Sequence, residues 1–302
     1  VKMPISTRVY NDLAMSTLNR ITGDIQGIQQ RIATGRNILK TSDNPAVGAK
    51  ISFTKDQKIL LERYNSNIDR AQNRLSQAEN AIGTGVNILQ RVYELAVQAR
   101  NDTNNAGDRE VIAMEVRNLR DQILSLANSR DTNGQYIFAG YKVDSKPFVA
   151  DENGDIVHAG DRGVHALQIS DNQRISTSLD GADVFLRVPG DETIESVFSS
   201  LDSMIASLER GEMEDADIDN VNKALEHFSL QQTKLGSQMN RAELQREVNE
   251  KRLLLMNEDI SNLEDADIAK LVTDLQAKLV SRNAAQQTFI KIAQDNLFNY
   301  IR

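Results

Sequence analysis

From Ile218 to Leu263, apolar residues recur at alternating steps of three and four without losing register. The positions are Ile218, Val221, Leu225, Phe228, Gln232, Leu235, Met239, Ala242, Arg246, Asn249, Leu253, Met256, Ile260 and Leu263, and most are apolar. Such spacing draws a seam along one side of an α-helix. No proline interrupts the run and Gly236 lies off the seam, so the spacing predicts one helix about 70 Å long at ~1.5 Å per residue. A helix of that length cannot belong to a compact globule. It must lie along partner helices.

The rest of the chain supplies them. Near the start, Ala14, Leu18, Ile21, Ile25, Ile28 and Ile32 form a narrow seam that calls for one or two partners. Its flanking basic residues also fit a helix on a membrane surface, but no Trp or Phe anchors the apolar face, which favours a helix partner. Thr41-Ser42-Asp43-Asn44-Pro45 interrupts the pattern with side-chain oxygens suited to capping and a proline suited to starting a helix. From Pro45 to about Arg100 the pattern resumes, and Leu75, Ala78, Ile82, Gly85, Leu89, Val92, Ala96 and Ala99 hold strict alternation. Small residues there permit close helix approach. Gly83-Thr84-Gly85 imitates half of a phosphate-binding loop, but Ile88 stands where a third glycine would be needed and no strand precedes it.

Asn101–Asp108 reads as a turn, after which Ile112, Val116, Leu119, Ile123 and Leu126 predict an antiparallel partner helix ending at Asp131-Thr132-Asn133-Gly134. Between Gln135 and Gly190 glycines, two prolines and short alternating runs such as Ile175, Thr177 and Leu179 predict a small β domain. Helices are expected to return at Ile194, with Val197, Leu201, Ile205 and Leu208 on one face and Gly211 as the stop. The last segment carries Ile268, Leu271, Val272, Leu275 and Leu279, then Phe289, Ile292, Leu297, Phe298 and Ile301.

The expected fold is therefore mainly α: a long helical rod with terminal coiled-coil helices and a small inserted β domain. Its expected divisions are 1–45 with 259–302 (terminal helices), 46–134 with 191–258 (rod) and 135–190 (β domain). Both terminal segments present apolar faces too large to leave in water. They are expected to pack on each other and on neighbouring subunits through Leu18, Ile21, Ile25, Ile28, Ile32, Leu271, Leu275, Leu279, Phe289, Ile292, Leu297 and Phe298.

Composition narrows the function. The chain has no Cys, which excludes disulfides, thiolate metal sites and Cys nucleophiles. The net charge of −8 argues against nucleic acid as principal partner, although residues 1–60 carry nine Lys and Arg against four Asp, a net of +5, leaving −13 for the remainder. No apolar run spans a bilayer, and Val1–Ser6 lacks a signal-peptide core, so the chain is expected to be cytoplasmic or exported without signal removal. Met3 is a second candidate for the natural start. His158, His165 and His227 are scattered without metal-ligand spacing. Asp151-Glu152-Asn153-Gly154-Asp155 imitates a calcium loop, but its glycine falls at the fourth position and Arg162 replaces the closing Glu, so a tight turn is expected. No catalytic residue, cofactor or metal is expected.

Several stretches resemble the bacterial flagellin and hook-associated protein family. They are Ile5-Ser6-Thr7, Ile32-Ala33-Thr34-Gly35-Arg36, Ser42-Asp43-Asn44-Pro45, Gln286-Gln287 and Leu297-Phe298-Asn299-Tyr300. Leu126-Ala127-Asn128-Ser129, the run Asn133-Gly134-Gln135-Tyr136-Ile137-Phe138-Ala139-Gly140-Tyr141-Lys142 and Pro147-Phe148 are similar to the hook-filament junction branch of that family. Thr41 and Asn44 depart from residues common there but keep turn chemistry. The resemblance implies a secreted structural subunit of the flagellum between a preceding FlgK-type hook-associated protein and flagellin, exported unfolded by the flagellar type III route. Its implied partners are copies of itself, those two neighbours and an FlgN-type export chaperone, with no nucleic acid and no membrane insertion. Flagellin itself is the alternative, and an adhesin using the β segment is a third reading.

Overall fold

The computed structural model describes residues 4–40, 42–101, 105–190 and 194–298, with backbone alone for 4–8, 10–11 and 292–298. The fold is mainly α. Its helices are α1 (Pro4–Thr34), α2 (Pro45–Ala99), α3 (Ala106–Ala127), the short α4 (Gly181–Phe185), α5 (Val197–Glu209), α6 (Asp215–Glu264) and α7 (Ile268–Phe298). Among the described residues, three antiparallel two-stranded ribbons pair β1 (Phe148–Ala150) with β2 (Ile156–His158), β3 (Ala166–Ser170) with β4 (Gln173–Ser176), and β5 (Val188–Pro189) with β6 (Ile194–Glu195). The chain forms two compact units, one from residues up to Leu60 together with those from Arg252 onward, the other Leu61–Lys251.

The long seam takes the form its spacing predicts. Helix α6 runs unbroken through it, and every position from Ile218 to Leu263 on the seam is buried or half-buried. Within Leu61–Lys251, α6 lies antiparallel to α2: Asn65 meets Asn249, Gln72 meets Glu243 at 2.8 Å, and Asp69 meets Arg246 at 2.6 Å. The ring of Phe228 covers Gly85, where a Cβ would stand 2.7 Å from the ring. The small residue is thus a packing device, and Gly83-Thr84-Gly85 lies within the helix α2. Asn249, fully buried, donates to Asn65 Oδ1 at 3.0 Å and to the Ile169 carbonyl at 3.2 Å. A polar residue on the seam therefore ties β3 to both long helices and fixes their register.

Helix α3 returns antiparallel to α2, joined by Arg91–Glu115 at 2.9 Å and by Arg109 Nε donating to the Ala99 carbonyl at 3.2 Å. Its other flank meets α5 through Arg120–Asp202 at 2.6 Å and Arg117–Glu209. Two boundaries differ from expectation. Asn105 and Asp108 form a reciprocal capping box, each side chain accepting from the other's backbone N–H at 3.0 Å, so Gly107 lies in the first turn of α3 and is not a loop residue. Ile194 is exposed in β6, because Ser196 caps α5 and holds the start of that helix at Val197.

The sequence Asp-x-Asn-Gly-x makes the same turn twice. Asp131 Oδ1 accepts from the N–H groups of Asn133 (2.8 Å) and Gln135 (3.0 Å), and Asp151 Oδ1 accepts from those of Asn153 and Asp155, both at 2.9 Å. Gly134 and Gly154 take the left-handed conformations that close the turns, at φ +80° and +92°. The second turn joins β1 to β2, as the expected tight turn. After the first, Tyr136–Ala139 dives into the core. There Phe185 packs edge-on against Phe138, Phe148 and Phe228 at centroid separations of 5.2, 5.1 and 5.4 Å. The β-rich segment therefore shares one aromatic core with α5 and α6.

Candidate assembly surface

In the unit that includes both chain ends, α1 and α7 run antiparallel, with Asp24 paired to Lys278 Nζ at 2.7 Å. That hydrogen bond, chiefly, holds the Asp24 carboxyl below its ordinary pKa. Of the expected interface residues, Ile21, Ile25 and Leu271 are buried. Leu18, Ile28, Ile32, Leu275, Leu279 and Phe289 are half-buried. The side chains of Ile292, Leu297 and Phe298 lie outside the described residues, as do those of Ile5-Ser6-Thr7, and Asn299 and Tyr300 entirely. Around the seam Val9 (61% exposed), Leu13 (64%), Met15, Val272, Val280 (69%) and Ile290 face solvent. An apolar hollow of about 280 Å³ opens between Leu13, Leu18 and Phe289. Two helices cannot enclose a seam on all sides; each half-covered Leu or Ile gains about 1 kcal/mol on being covered by a further helix.

A clasp holds the base of this pair. Gly35, at φ +68°, ends α1, and its carbonyl accepts from Ala266 N–H at 2.9 Å, while Asn37 N–H donates to the Glu264 carbonyl at 2.7 Å. Glu264, buried at the end of α6, pairs with Arg36 Nε at 2.9 Å and Lys55 Nζ at 2.7 Å. The adjoining joint is built from Asp43, whose carboxylate accepts from Leu39 and Lys40 N–H, and from Asn44, which accepts from Val47 N–H at 3.3 Å as the cap before Pro45. Gly35-Arg36 and Asp43-Asn44-Pro45 thus act as joint residues. Glu264 has no local sequence signal, because its partners lie more than two hundred residues away in the chain.

Two of the three histidines hold the fold through ring-nitrogen hydrogen bonds. His158 lies across from Phe148 in the β1–β2 ribbon and its Nε2–H donates to the Phe138 carbonyl at 3.2 Å. His227 Nε2–H donates to the Asp183 carbonyl at 2.9 Å, and burial holds its pKa below the ordinary value. The ring of His165 stands edge-on to Tyr141 at 4.8 Å. Among the described residues no group of His, Asp and Glu is arranged to hold a metal, and no helix is long and apolar enough to cross a membrane.

The model of the bacterial flagellin N-terminal helical region matches residues 5–143. The chain is 26% identical over 321 aligned positions to flagellar hook-associated protein 3 of Salmonella typhimurium LT2, covering 99% of this chain and all of that protein. It is 27% identical to the flagellin of Bacillus subtilis, covering 92% and 93% of the two chains. Among solved structures, the flagellar junction protein FlgL of Legionella pneumophila superposes with a TM-score of 0.64 at 17% identity, over 71% of this chain and 99% of that one.

Proposed function

We propose that the chain is a member of the flagellin and hook-associated protein family and a structural subunit of the bacterial flagellum at the hook-filament junction. The observation that carries this reading is the end-to-end likeness to a hook-associated protein 3, joined to a terminal helix pair whose seam is only partly covered. In this reading α1 and α7 pack against neighbouring copies, against a FlgK-type hook-associated protein on one side and against flagellin on the other. The interface comprises Leu18, Ile21, Ile25, Ile28, Ile32, Leu271, Leu275, Leu279 and Phe289, with Ile292, Leu297 and Phe298 extending it. The subunit is secreted through the flagellar type III route, and an FlgN-type chaperone covers the C-terminal apolar face beforehand. Its work is mechanical, with no catalytic step.

Flagellin remains the second reading, favoured by the likeness to the Bacillus subtilis filament protein over most of both chains. Immunogold electron microscopy of intact flagella distinguishes the two. A junction subunit is labelled at one point between hook and filament; label along the whole filament would overturn the junction reading.

A further inference from the structure

Within Leu61–Lys251, a cavity of about 340 Å³ lies between α2, the Asp131–Gln135 turn and the β3–β4 ribbon. Four polar atoms on its lining side chains are buried without a hydrogen-bond partner among the described residues: Gln77 Oε1, which accepts, His165 Nε2, and Arg74 Nε and Nη2, the two that can only donate. A sealed guanidinium edge is costly unless a counter-charge meets it. Nε and Nη2 form the side-on edge whose two parallel N–H groups match two oxygens of one oxyanion. Arg70, one turn before Arg74 on the same helix, adds a second positive charge to the wall. The one carboxylate of the lining, Asp131, already accepts two backbone N–H groups with Oδ1. Among the described residues the lining thus carries two cations against one anion.

We infer that this cavity is a binding site for an oxyanion of the carboxylate or phosphate class, held bidentate by Arg74 with Arg70 and His165 beside it. The oxyanion comes either from a free small anion or from an acidic side chain of a second copy of this chain. The site stands independently of the junction reading, since its evidence lies wholly in the body of the protein.

The full chain is titrated with inorganic phosphate, and separately with malonate, at constant ionic strength, following Tm and sedimentation. The expected result is a saturable rise in Tm that Arg74→Gln weakens about ten-fold or more, the equivalent of one charged hydrogen bond. Without anion, Arg74→Gln should melt no lower than the parent, because it removes a charge that lacks a partner. Arg70→Gln, at an exposed position, provides the same readout without risk to folding. Saturation with unchanged mass assigns the site to a free anion. Self-association that phosphate dissolves in the parent, and that is weakened in both variants, assigns it to a second copy. No saturable rise and no phosphate-sensitive association, or equal responses in parent and both variants, overturns the site.

Discussion

Gly140 shows how much one position can carry. It adopts φ +69°, and a Cβ there would drive into Asp161 Oδ1 and the Asp161 carbonyl. The same Asp161 carboxylate accepts from Tyr141 N–H at 2.7 Å and Gly163 N–H at 2.8 Å, and these backbone bonds lower its pKa. Gly140→Ala should therefore destabilise the Leu61–Lys251 unit by about 2 kcal/mol or more, combining left-handed strain with a steric clash, as read from urea midpoints. His227 gives a pH signature. Its folded pKa is depressed by burial, partly offset by its bond to the Asp183 carbonyl. The unfolded chain then binds a proton more readily, so stability is full above about pH 6.5 and falls as pH drops from there through the lower folded value. Urea midpoints between pH 7 and 5 should show this loss, and His227→Gln should flatten it. The resemblance drew attention to Asn133–Lys142 in the sequence, but the reason for Gly140 was hidden, because Asp161 meets it across an irregular loop with no periodicity.

At the scale of elements, the helices were the most legible part. A three-four repeat states both a helix and its buried face, and α6 keeps Ile218–Leu263 inward for its whole length. Capping chemistry is less legible: Asn105 and Ser196 set the helix starts, which puts Gly107 inside α3 and Ile194 outside α5. Long-range polar ties were not legible at all, and Glu264 is the clearest case. Arg36 and Lys55 are themselves 58% and 43% exposed and can return to water, so Glu264→Gln should cost only about 1–2 kcal/mol. The loss should fall on the unit containing α1 and α7. Hydrogen exchange that accelerates in α7 with no change in α3 or α5 would bear this out; uniform acceleration would argue against a local clasp.

At the scale of the molecule, two compact units divide the labour in the proposed function. The body is closed by an aromatic core to which the β-rich segment contributes Phe138, Phe148 and Phe185, so removing residues 135–190 would strip the core along with any surface they present. The terminal unit is different. Its three buried seam residues are flanked by half-covered and exposed apolar side chains, which in a polymer would meet other copies. Sequence periodicity marks the seam between α1 and α7, while the extent to which the two helices cover each other follows only from their antiparallel pairing. The most direct measurement replaces the native protein with Ile25→Asp in its flagellated host, scoring filaments by electron microscopy and flagellin in the culture medium. A charge on the buried seam should leave bare hooks, shed flagellin and an exported variant whose Leu61–Lys251 unit still melts as in the parent. Normal numbers of filament-bearing flagella would contradict the claim that the α1–α7 seam carries assembly.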